Sequence, residues 1–90
     1  MPAPAPDLRA LGVEVARQRK SRGWSIDRLA EATCVHRKTI IVIEAGRVAA
    51  RISTLHGIAH ALGVPLPDLV APVCARHPKA VGRPTPLVQE

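Results

Sequence analysis

The sequence predicts an all-α, compact domain of five short helices set between two proline-rich tails. Three observations predict it. Apolar residues recur at helical spacing in separate stretches, most of these stretches stop at a glycine, and seven of the nine prolines fall in residues 1–6 and 72–86. Proline lacks a backbone donor and fixes φ, so those outer segments cannot join helices. Residues 1–7 read as a disordered N-terminal tail, 8–70 as the folded domain, and 71–90 as a proline-containing basic C-terminal tail, also disordered.

The first helix is expected from Leu8 to Arg22, where Leu8, Leu11 and Val15 form one apolar stripe. Basic residues and then Gly23 end it, cations being favoured at the negative end of the helix dipole. The second helix starts after Ser25, a good N-cap, carries Asp27 in its first turn, and ends near Thr33 and Cys34. Thr39-Ile40-Ile41-Val42-Ile43 is an unbroken β-branched run, which alone reads as a strand. The pattern from Gly23 to Gly46 around it overrides that reading and predicts a third helix. The fourth helix is expected over Ser53 to Leu62, with Leu55, Ile58, Ala59 and Leu62 on one face and Gly63 closing it. A short fifth helix follows at Pro67–Val70, with proline suited to the first turn.

Composition narrows the function. A folded part of roughly 60–65 residues is too small for most enzyme clefts, so no enzyme is expected. The chain has one Trp and no Phe or Tyr, which removes aromatic platforms for single-stranded nucleic acid. A net charge of +6 favours an anionic partner. Cys34 and Cys74 lie far apart without CxxC spacing, which fits a reducing, cytoplasmic compartment. No membrane contact is expected, since no apolar stretch approaches a span and the start lacks the features of a signal peptide. Arginine outnumbers lysine, and alanine and proline are frequent, which suits a GC-rich bacterial source. His56 and His60 stand at i, i+4, but no acid lies between them. Pairings of Cys34 with His36 or Cys74 with His77 gain no support from context. No metal or cofactor is expected.

Two short helices joined by a tight turn at Thr33-Cys34-Val35 would bury Leu29, Ala30, Val35, Ile40 and Ile43 against the first and fourth helices. Ala30 is small, as a close crossing of helices two and three requires. That is a helix-turn-helix, in which the second helix enters the major groove by its N-terminal end.

The ordered set Leu11-Gly12, Arg19, Gly23, Ser25, Leu29-Ala30-Glu31, Val35, Arg37, Thr39-Ile40, Ile43-Glu44, Gly46, Leu55, Ile58-Ala59, Ala61-Leu62-Gly63-Val64 and Leu69 resembles the Cro and lambda-repressor-like family, also called XRE. The resemblance covers about two thirds of the chain, from Leu11 to Val70. It implies a lambda-repressor-like domain that binds duplex DNA as a small transcriptional regulator, commonly as a homodimer on a palindromic site. It places a recognition helix at His36 to Ala45, with His36 as its cap. DNA contacts are then expected from His36, Arg37, Lys38, Thr39 and Val42, and Arg37 and Lys38 match positions that reach base edges. Arg17, Lys20, Arg22, Arg47 and Arg51 are phosphate candidates, and solvated charge is the alternative for each. Arg19 and Glu44 match a partly buried structural salt bridge.

Three positions depart from the family pattern. Ile26 replaces the usual Gln that contacts phosphate, and Cys34 replaces a turn glycine. Either a left-handed Cys34 costs about 1 kcal/mol or the turn differs. Ile41 and Val42 stand where polar residues are usual. They either touch thymine methyls or form a patch for a protein partner, as in an antitoxin-like module.

Overall fold

A computed structural model describes residues 5–74. The elements are α1 (Leu8–Ser21), α2 (Ile26–Thr33), α3 (Arg37–Glu44), α4 (Ile52–Leu62), α5 (Leu66–Val70) and a 3₁₀ turn over Ala71–Cys74. The fold class is as expected: five α-helices and no strand among the described residues.

Local chemistry sets the helix starts. The Asp7 side chain accepts from the Ala10 amide at 3.0 Å and opens α1. Ser25 accepts from the Arg28 amide at 3.0 Å and opens α2. Each bond satisfies one of the donors that a helix N-terminus leaves unpaired. Expected and observed ends differ by one residue at the close of α1, at both ends of α3 and at the starts of α4 and α5.

The core is one aliphatic cluster. It joins Leu11 and Val15 of α1, Leu29 and Ala30 of α2, Ile40 and Ile43 of α3, four residues of α4, and Leu69. Burying each of the larger side chains contributes about 1.5–3 kcal/mol. The strand-prone run becomes helical because Ile40 and Ile43, three residues apart, both enter this core and are almost fully buried. A strand would place them on opposite faces.

The α1–α3 crossing depends on Gly12. A Cβ there would stand 2.4 Å from the Glu44 carbonyl oxygen and 2.6 Å from that of Ile43. Only a residue without a side chain lets the two backbones come this close.

The C-terminal boundary at Val70 needs correction. Pro72 argues against an α-helix, but a 3₁₀ turn tolerates it, and Ala71–Cys74 packs along α1. The Val73 carbonyl accepts from the Asp7 amide at 3.1 Å, joining the two ends of the domain. The rest of the expected tails, residues 1–4 and 75–90, lies outside the described residues. Among the described residues no single helix is long and apolar enough to cross a membrane.

Candidate functional site

The turn between α2 and α3 is built from backbone bonds. The Cys34 amide donates to the Glu31 carbonyl at 3.3 Å, and the Val35 amide to the Ala30 carbonyl at 3.1 Å. Cys34 has φ 56 and ψ 33, the left-handed conformation that favours glycine, so the turn keeps its shape with a side chain in that place. Val35 then turns toward the core. His36 follows with β-region backbone, and its Nδ1 accepts from the Lys38 amide at 3.1 Å. His36 is therefore the N-cap of α3, with the imidazole doing what a Ser or Asp side chain commonly does.

From that cap, α3 presents Arg37 and Lys38 to solvent and leaves Thr39 half-buried. Ile41 is 36% exposed and Val42 is half-buried, so neither belongs to the core. Together they expose too little surface to make an extended apolar patch.

The inner side of α3 is clamped to α1. Arg19 Nε donates to Glu44 Oε2 at 2.8 Å and Nη2 to Oε1 at 3.0 Å, a two-pronged pair with both side chains nearly buried. Arg19 Nη1 donates to the Trp24 carbonyl at 2.8 Å. The Glu44 hydrogen bonds raise the Arg19 pKa further, so the guanidinium stays charged although burial opposes it. One side chain thus ties α3 to α1 and to the turn that leads into α2.

The phosphate candidates divide. Lys20, Arg47 and Arg51 are exposed. Arg47 follows the end of α3, and Arg51 is the N-cap of α4, which has no side-chain cap of its own. Arg17 is exposed and held by Glu14 of the same helix, Nη2 to Oε2 at 2.6 Å. That hydrogen bond keeps the Glu14 carboxyl below its ordinary range. Arg22, also exposed, is tied to the fold. Its Nε donates to the Leu62 carbonyl at 2.7 Å, satisfying the end of α4, and its guanidinium lies 5.5 Å from the centre of the Trp24 ring.

One charged neighbour of α3 escaped the sequence reading. Asp27, expected only to favour the start of α2, pairs with Arg37, with 2.6 Å between Oδ1 and Nε. Both side chains remain mostly exposed. The only advance signal was opposite charge in the first turns of adjoining helices. Among the described residues, no group of three or more His, Cys, Asp or Glu side chains is placed to hold a metal ion.

A capped, basic, outward-facing second helix, clamped from behind by Arg19 and Glu44, defines a helix-turn-helix domain of the lambda-repressor-like kind. The pattern of the HTH_3 helix-turn-helix family matches residues 15–69, and the chain belongs to that family. The chain is 38% identical over 64 residues to the HTH-type transcriptional regulator SutR of Escherichia coli K12. That match takes in 71% of the chain and 36% of SutR, so the chain spans about a third of this relative's length. Among solved structures, the clp gene regulator ClgR of Corynebacterium glutamicum is 32% identical with a TM-score of 0.70, over 82% of this chain and 96% of that one. The hypothetical transcription factor NHTF of Neisseria is also 32% identical, with a TM-score of 0.69, over 84% and 92%.

Proposed function

We propose that the chain binds duplex DNA sequence-specifically, as the reading domain of a transcriptional regulator, with the first half of α3 in the major groove. One observation carries this reading. Arg37 and Lys38 stand exposed at the start of a helix whose other side is fixed in the core through Ile40, Ile43 and Glu44. An arginine so placed suits the O6 and N7 acceptors of guanine, and Val42 suits a thymine methyl. His36 and Thr39 flank the reading positions, and Lys20, Arg47 and Arg51 supply phosphate contacts that set register. Arg17 contributes if it leaves Glu14. Arg22 is not counted, because the end of α4 already holds it. Binding is as a homodimer, so preferred sites carry two half-sites about one helical turn apart.

Selection from random duplex DNA tests all parts together. The expected result is an enriched, two-fold symmetric site with guanine at one position of each half. Arg37→Ala should remove discrimination at that guanine, by about 1–3 kcal/mol, and leave the other positions as they were. A uniform loss over all sequences would reduce Arg37 to a phosphate contact. No retention of DNA even at low salt would overturn the reading and leave a protein partner as the ligand of this face.

A further inference from the structure

We infer that Asp27 is a specificity-determining residue, one that orients Arg37 for guanine from the neighbouring helix without touching the base itself. The inference rests on the DNA-binding reading above. The observation beneath it is the ion pair of 2.6 Å between Asp27 Oδ1 and Arg37 Nε.

The chemistry follows from which atom is engaged. A guanidinium offers two edges to a base, one made by Nε and Nη2 and one by the two Nη groups. The Asp27 carboxylate stands nearest Nε, as an ion pair. That leaves the Nη1/Nη2 edge clear of the carboxylate, and its spacing matches guanine O6 and N7. A free arginine of this length samples many rotamers and must lose that freedom when it binds. An arginine already paired with a carboxylate has lost part of it. Arg37 also stands at the first position of α3, where its stem is directed by a helix whose seat is set by the close α1 crossing at Gly12. The carboxylate therefore biases an arginine whose stem is already directed, and the exposed pair still yields to a base.

Asp27 also acts by exclusion. It brings negative charge close to the reading surface, where phosphates are dense. This opposes any pose in which Arg37 swings aside to a phosphate, because the carboxylate would be left without its cation against the backbone charge. The pair therefore gives up some non-specific affinity and gains discrimination. The missing polar group at Ile26 agrees with this arrangement. With an apolar side chain opening α2, it is the next residue, Asp27, that pairs with Arg37.

The test compares the wild-type chain, Asp27→Ala, Asp27→Asn and Arg37→Ala in selection from random duplex DNA, followed by binding curves on the selected site and on single-base variants of it. The wild-type chain should select guanine at the position that Arg37→Ala releases. Asp27→Ala should lower preference for that one guanine by about three- to tenfold, with the other positions unchanged. Its binding to non-specific DNA should be equal or tighter than that of the wild type. Asp27→Asn, which keeps an acceptor and loses the charge, should fall between them. Thermal melting of each variant separates a folding defect from a reading defect. Full guanine preference in Asp27→Ala overturns the inference and leaves the DNA-binding reading standing, as does an equal loss at every position. If the wild-type chain enriches no site at all, the DNA-binding reading fails, and the inference fails with it.

Discussion

Two arginine–carboxylate pairs hold α3 to its neighbours, and they differ in almost everything except chemistry. Arg19 and Glu44 meet through two bonds, nearly buried, behind the helix. Arg37 and Asp27 meet through one contact, mostly exposed, in front of it. Burial decides what each can do. Water and salt screen the front pair, so it adds about 0–1 kcal/mol to stability and yields easily to a ligand. The rear pair has no such freedom. Removing one partner strands the other in a poorly solvated place, and that cost far exceeds any gain from having formed the pair. The same two functional groups thus serve as a fixed support on one side of a helix and as an adjustable part on the other.

The comparison breaks most readily at Glu44. Glu44→Ala should destabilise the fold by about 3 kcal/mol, read as a fall in the urea midpoint, since Arg19 is left buried without its partner. Replacing both residues at once, Arg19→Met with Glu44→Leu, should cost less than the single change. An unchanged midpoint in Glu44→Ala would mean that the clamp is ornamental. Between the two pairs lies the turn, and Cys34→Gly sharpens its role. It should stabilise by about 0.5 kcal/mol, the relief of a left-handed side chain less the extra freedom glycine gives the unfolded chain. A loss of stability on differential scanning calorimetry would show that the cysteine side chain contributes packing there. The smallest effect belongs to the front pair. Asp27→Ala should move the melting midpoint by the equivalent of about 0.5 kcal/mol or less, although base discrimination is expected to change. A drop as large as that of Glu44→Ala would erase the distinction between the pairs.

The rear pair was legible in the sequence and the front pair was not. Arg19 and Glu44 occupy positions that the family resemblance marks, so their meeting was expected before any coordinates. Asp27 reads locally as a helix-dipole residue, and its reach to Arg37 depends on the angle between α2 and α3, which no local pattern states. The fold contact of Arg22 was hidden for the same reason. A basic residue at the end of a helix suggests phosphate, whereas its target, the Leu62 carbonyl, is remote in sequence. Helix three was readable only through the whole pattern, since local propensity points to a strand and the core positions of Ile40 and Ile43 decide otherwise. Pro72 stopped the expected domain too early, because the rule against proline in helices applies less strictly to a single 3₁₀ turn.

Trp24 has a further use that its packing makes possible. It is the chain's one aromatic residue apart from histidine, so ultraviolet absorption near 280 nm and the intrinsic emission arise almost wholly from one indole. The Arg22 and Arg28 guanidinium groups stand 5.5 and 5.0 Å from the centre of that indole, and the Trp24 backbone carbonyl receives the third bond of Arg19. The chain therefore carries a built-in optical reporter at the joint between α1 and α2. Loosening of the Arg19 clamp can be followed there by colour alone, without a label.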